Sequence, residues 1–146
     1  MDTSQAALRL CEEAAGRNRV QNIRCVQENV FDFLKEACAR GETFELVILD
    51  PPALIKSRSH LAGGARAYRE INRAAMGLLG EGGTLISCSC SHHLEDPLFH
   101  QVLLEAARAA RRVFRVTGWT GEAPDHPRLL AVPETHYLKC AVLQAL

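Results

Sequence analysis

Short unbroken apolar runs alternate along this chain with stretches whose apolar positions recur every three to four residues; the first predict strands and the second helices. Thr3 or Ser4 can cap a first helix on which Ala7, Leu8, Cys11, Ala14 and Ala15 keep the helical period until Gly16-Arg17-Asn18. Ile23 to Val26 is a short strand candidate. Asn29 caps a second helix, with Asp32 in its first turn, Phe31, Leu34, Ala37 and Cys38 on or near its inner face, and Gly41 as its end. Leu46 to Leu49 is too short for a helix and reads as a strand buried on both faces, as in parallel sheets. A polar loop from Ser57 to Gly64 precedes a helix from about Ala65 to Leu79, which Gly80-Glu81-Gly82-Gly83 breaks.

Thr84 to Cys90 is the next strand. Asp96-Pro97 starts a helix with proline at its first position, and Leu98, Phe99, Val102, Leu103, Ala106 and Ala110 form its buried stripe. Val113–Val116 and Tyr137–Leu143 are closing strands around a Pro-rich excursion, Ala123 to Pro133. Strands alternating with helices predict an α/β fold with a mostly parallel sheet covered on both faces. No long helix separates the two closing strands, which predicts an antiparallel edge.

Composition changes this picture little. A chain of 146 residues is expected to form one domain, with hydrophobic residues at 47% and charged residues at 23%. No apolar run approaches the roughly 18 residues of a membrane-spanning helix, and the start does not resemble a signal peptide. The six cysteines, with no secretory cue, read as reduced thiols of a cytoplasmic protein. Lysine plus arginine balance aspartate plus glutamate at 17 each, which argues against a strong non-specific grip on nucleic acid. Residues 56 to 73 are a local exception, with five Lys or Arg against one Glu, and Arg66, Arg69 and Arg73 share a helix face. That face is an RNA-backbone candidate or an ordinary solvated surface.

The candidate chemistry centres on Asp50. It stands at the carboxyl end of the predicted Leu46–Leu49 strand, where open α/β sheets keep their ligands. Pro51 and Pro52 then force the chain out of the sheet in a stiff, extended turn. Cys88 and Cys90 approach the end of the next strand, and alternation places both on one face. Cys88-x-Cys90-x-His92-His93 lacks the spacing and the second cysteine pair of a structural zinc site, so no metal is expected.

Asp50-Pro51-Pro52, Lys56-Ser57-Arg58, Ala67-Tyr68-Arg69-Glu70-Ile71-Asn72, Ser87-Cys88-Ser89-Cys90-Ser91-His92-His93, Ala123-Pro124-Asp125-His126-Pro127 and Pro133-Glu134-Thr135-His136-Tyr137-Leu138-Lys139 follow one another in register. In that order they resemble the catalytic domain of the bacterial large-subunit ribosomal RNA cytosine-C5 methyltransferases, from Asp2 to the C-terminus. The resemblance implies a Rossmann-like class I fold, S-adenosylmethionine as cofactor and ribosomal RNA as substrate. It implies Cys90, in Ser89-Cys90-Ser91, as the nucleophile, with Cys88 a packed neighbour. Asp50 would position the cytosine and lie beside the cofactor; Asp2 would hold the ribose hydroxyls and Asn29 would stand near the adenine. Ala53 stands where many relatives carry a second cysteine, so the elimination base is unassigned, and Lys56 would favour a thiolate, contact phosphate or simply be solvated.

The family's domain opens on a strand and a glycine-rich loop, whereas this chain opens on Met1-Asp2 and enters a helix. The expectation is a domain lacking that front, with weak cofactor binding and an apolar sheet edge open to self-association. The rivals are a class I methyltransferase acting on another substrate and a non-catalytic remnant that binds RNA or a partner.

Overall fold

Helix caps in the first forty residues are local devices, and they form where the residues permit. The Ser4 hydroxyl accepts from Ala7 N at 3.3 Å and opens α1, Gln5–Arg17. The Asn29 side chain accepts from Phe31 N at 2.9 Å and opens α2, Val30–Ala39. On α2, Leu34 and Ala37 are buried as predicted, whereas Phe31 is 43% exposed. The computed structural model describes all residues from Met1 to Leu146, in two units, Met1–Arg40 and Gly41–Leu146.

Ile23–Val26, read as a strand, does not form one. Its neighbourhood pairs only at an isolated parallel bridge, Asp2 with Gln27. Asp2 N donates to Val26 O at 3.0 Å and Glu28 N to Asp2 O at 3.1 Å. Two bonds tie the segment down but do not make a ladder.

The second unit carries a four-stranded sheet in the order β1-β2-β4-β3. Its strands are β1, Phe44–Leu49; β2, Leu79–Ser89; β3, Phe114–Thr120; and β4, Lys139–Ala145. β1 and β2 are parallel and joined through helix α3, Leu61–Gly77. β4 runs antiparallel to both β2 and β3, the antiparallel edge that the missing crossover helix predicts. Alternation buries Leu85, Ser87 and Ser89 of β2 opposite Leu143, Ala141 and Lys139 of β4. Tyr68, Ile71, Ala75 and Met76 of α3 and Phe99, Val102, Leu103 and Ala106 of α4, Asp96–Ala109, are buried too, and the two helices pack on each other.

Two expectations need correction. β1 is the terminal strand of the sheet, and its Leu46 and Ile48 are 52% and 59% exposed, so the run is not buried on both faces. An apolar run records hydrophobicity and not how many neighbours cover it. These two side chains form an exposed apolar patch on the terminal strand. Secondly, Gly80–Gly83 does not separate a helix from a strand but lies inside β2. Phe44 pairs with Leu79 and Leu46 with Thr84, so the glycines bulge out of the β1–β2 ladder. Gly82 supplies φ +72, and a Cβ on Gly83 would stand 3.0 Å from Gly80 O and 3.2 Å from Phe44 O. The Arg112 side chain donates to the carbonyl of Met76 in the last turn of α3 and to those of Leu79 and Gly80 at the bulge, where the ladder is interrupted.

α3 begins at Leu61, four residues before its predicted start, and runs through Gly63 and Gly64. The second glycine is required by close packing. A Cβ on Gly64 would sit 2.2 Å from Ile55 Cγ1 and 2.9 Å from Leu54 O, so α3 rests directly on the segment after Asp50-Pro51-Pro52. Gly64→Ala is therefore expected to destabilise the unit by about 1–3 kcal/mol, the usual range for overpacking. Urea denaturation checks this: an unchanged midpoint would mean that the loop yields without cost.

Candidate functional site

β1 delivers Asp50 past its last paired residue, Leu49, and leaves its side chain exposed. The prolines then turn the chain so that the Pro51 carbonyl faces the end of β2. Cys90 follows that strand directly, and its thiol donates to Pro51 O at 3.9 Å. The two sequence candidates Asp50 and Cys90 thus stand at one sheet edge, at the carboxyl ends of two parallel neighbours.

A buried node holds this edge in shape. The Ser91 hydroxyl accepts from Ile55 N at 3.2 Å and bonds Tyr68 OH at 3.0 Å, while the Ser91 carbonyl accepts from Lys139 Nζ at 2.8 Å. All four residues are 2% exposed or less. Through Ile55 the node fixes the loop after the prolines, through Tyr68 the helix α3, and through Ser91 the residue next to Cys90. Sequence reading gave none of Tyr68, Ser91 and Lys139 a role of its own. A signal was available for Lys139: strand alternation puts it on the same face as Ala141 and Leu143, where a charge is out of place.

The two candidate cysteines are separated by their surroundings. Cys88 lies directly opposite Cys140 of β4. Burial, the hydrogen bond with Cys140, and the negative charges of Cys140, Asp50 and Cys90 push its thiol up to about 12. A thiol held in its protonated form is a poor nucleophile.

In the first unit, the Asp2–Gln27 bridge and the bond from Glu28 N to Asp2 O bring Asp2 close to Asn29. Asp2 Oδ1 accepts from Ser4 N at 2.7 Å, which leaves Oδ2 for a ligand. Asn29 spends its Oδ1 on the helix cap, which leaves its amide protons to donate. A carboxylate oxygen and an amide donor are thus left available on these two segments.

Lys56 is exposed and lines, with Pro52, Ala53, Leu54 and His60, a cavity of about 390 Å³. Of the arginine face, Arg69 pairs with Glu105 at 3.3 Å and Arg73 with Glu70 at 3.2 Å, so the local positive excess is partly neutralised. No group of three His, Cys, Asp or Glu side chains is placed to hold a metal ion, and no helix is long and apolar enough to cross a membrane.

A second cluster, unforeseen in the sequence, pins the excursion between β3 and β4. His136 stands between Asp96 Oδ2 at 2.5 Å and Glu122 Oε1 at 3.0 Å. Burial pushes the Glu122 carboxyl up, but bonds from its own amide, Leu138 N, His136 and Tyr137 N outweigh this and hold it down at about 2. Trp119 Nε1 donates to Asp96 Oδ1 at 2.9 Å. The partners lie 14 to 40 residues apart in the chain, beyond any local pattern.

Curated relatives are similar over almost the whole of this chain. Ribosomal RNA large subunit methyltransferase I of Photobacterium profundum is 42% identical over 95% of the chain, and that of Aeromonas salmonicida is 37% identical over 99%. The Escherichia coli protein of the same name is 36% identical over 95%. The chain spans only 36–37% of the length of these relatives. No protein-family model matches. Among solved structures, a S-adenosylmethionine-dependent methyltransferase from Streptococcus mutans superposes with a TM-score of 0.82 at 18% identity, over 97% of this chain and 36% of that one. NSun6 from Pyrococcus horikoshii, solved with SFG, gives 0.66 at 20%, over 97% and 39%. The fold is that of the class I, Rossmann-like methyltransferases.

Proposed function

We propose that this chain is the catalytic portion of a S-adenosylmethionine-dependent RNA methyltransferase that modifies C5 of a cytosine in ribosomal RNA through a covalent adduct on Cys90. The observation that carries the proposal is the 3.9 Å approach of the Cys90 thiol to Pro51 O, which brings the thiol to the turn that directly follows Asp50. The names of the similar proteins support methylation of large-subunit ribosomal RNA.

Cytosine C5 is too weak a nucleophile to take a methyl group unaided, and the residues at this edge answer that difficulty. Cys90, having lost its proton to solvent, adds its sulfur to C6. The C5=C6 pair is thereby released toward the ring, and C5 becomes an enamine carbon. Asp50 holds the N3 and exocyclic amino edge and balances the charge that develops there. When bound, the cofactor would supply the electrophilic methyl group that C5 takes up, and Asp2 and Asn29 would hold its nucleoside. Loss of the C5 proton then restores C5=C6 and expels the Cys90 thiolate. Lys56, Arg58 and Arg66, on the loop and helix after the prolines, supply phosphate contacts. The open β1 edge gives the chain a surface for self-association.

RNA carrying 5-fluorocytosine at the target tests the chemistry, because fluorine cannot leave as a proton does. Incubation with S-adenosylmethionine is expected to give a denaturation-resistant protein–RNA adduct, mapped to the Cys90 peptide. An adduct on another cysteine would displace the assignment. Methyl transfer to ordinary RNA with no adduct on the fluorinated RNA would favour another target atom.

A further inference from the structure

Lys139 is only 1% exposed. Burying an ammonium is costly unless hydrogen bonds and opposite charges compensate it. Its Nζ donates to Ser91 O at 2.8 Å and Tyr137 O at 2.9 Å, two carbonyl dipoles that orient the charge without cancelling it. Burial pushes the amine down, and the charges opposing that are Asp96, Cys90, Glu122 and Glu95. Two of these carboxylates have nearer partners: Asp96 meets His136 and Trp119, and Glu122 meets His136, Tyr137 N and Leu138 N. No carboxylate forms an ion pair with Nζ itself. A cation is therefore held inside the protein, bonded to the residue that follows the proposed nucleophile and without a carboxylate in ion-pair contact.

We propose that Lys139 is a positioning residue for Cys90: through the Ser91 carbonyl it fixes the strand end that carries the thiol, and its charge favours the anionic sulfur. The role rests on the reading of Cys90 as nucleophile. In that chemistry the sulfur is anionic twice, before it adds to C6 and after C5=C6 reforms and the C6–S bond breaks. A fixed cation lowers the free energy of both states relative to the neutral thiol. It costs little reorganisation, because Lys139 is held by the fold before RNA arrives. Ser91 is what makes the coupling specific. Its carbonyl receives the ammonium, its hydroxyl receives Ile55 N, and the chain between them is the backbone that aims Cys90 at Pro51.

The test reads the sulfur itself, without RNA or cofactor, so it stands apart from methyl transfer. Carbamidomethylation of Cys90 by iodoacetamide at neutral pH is followed by peptide mass spectrometry, with the exposed Cys11 as internal reference. Lys139→Met is expected to slow Cys90 about tenfold relative to Cys11, and Lys139→Arg to restore most of the rate. Tyr68→Phe, which removes one bond to Ser91 and no charge, should change it less than about twofold. A normal Cys90 rate in folded Lys139→Met, or equal slowing by the arginine variant, overturns the proposal. Should Lys139→Met not fold, the unmutated protein decides. Asp50 repels anionic iodoacetate from Cys88, whereas Lys139 attracts it to Cys90, so labelling by iodoacetate relative to iodoacetamide should be higher at Cys90 than at Cys88. An equal or lower ratio there overturns the proposal. A Lys139-dependent Cys90 rate with no RNA adduct would sink the covalent-adduct reading of Cys90 and leave the electrostatic coupling standing.

Discussion

Cys90→Ala is expected to lower methyl transfer by on the order of 10⁴-fold or more, as removal of a covalent nucleophile does, while cofactor affinity stays within about twofold. The alanine removes the sulfur that forms the bond to C6, and nothing else at the edge replaces it. Cys88 is nearest in sequence, but its thiol is pushed up to about 12 by burial, Cys140 and the surrounding negative charge. At neutral pH it is therefore almost wholly protonated. Cys88→Ala is expected to retain most activity and to cost stability only as a half-buried side chain paired with Cys140. Single-turnover transfer to RNA, with cofactor binding measured by calorimetry, separates the two. An active Cys90→Ala beside an inactive Cys88→Ala would invert the assignment.

The parts of this fold that depend on near neighbours could be read from the sequence. Ser4, Asn29 and Pro97 mark helix starts because a cap needs only the next three residues. The antiparallel arrangement of β3 and β4 followed from the lack of a crossover helix. Asp50 and Cys90 were both placed at strand ends, and the structure brings them to one edge. Gly80–Gly83 was misread because what holds it in a strand is Arg112, some thirty residues away. The early start of α3 was hidden by glycines that read as loop, although Gly64 is there because Ile55 leaves no space for a Cβ. The site followed the same division. The candidate residues Asp50 and Cys90 carry recognisable chemistry in sequence. Ser91, Tyr68 and Lys139, bonded together beside them, are recognised only once 23 to 48 residues of chain have folded between partners.

Asp50→Asn is expected to reduce turnover about 10²–10³-fold, the effect of losing one oriented hydrogen bond to developing charge, about 2.7–4 kcal/mol. The substitution keeps the size and shape of the side chain, so the Asp-Pro-Pro turn and the approach of Cys90 to Pro51 are preserved. An amide can still touch the exocyclic amino group, but it carries no negative charge to balance the proton that N3 gains when sulfur adds to C6. Asp50 is exposed. Its interaction therefore strengthens only when the cytosine covers it and water is excluded, which places the loss in the chemical step more than in RNA binding. Rapid-quench measurement of transfer from preformed complex, compared with RNA affinity by filter binding, resolves the two. A large fall in rate with affinity changed less than about threefold is the expected pattern. A near-normal rate would remove Asp50 from the chemistry and leave it as the polar end of β1. A fall in cofactor affinity alone would reassign it to holding the methyl donor.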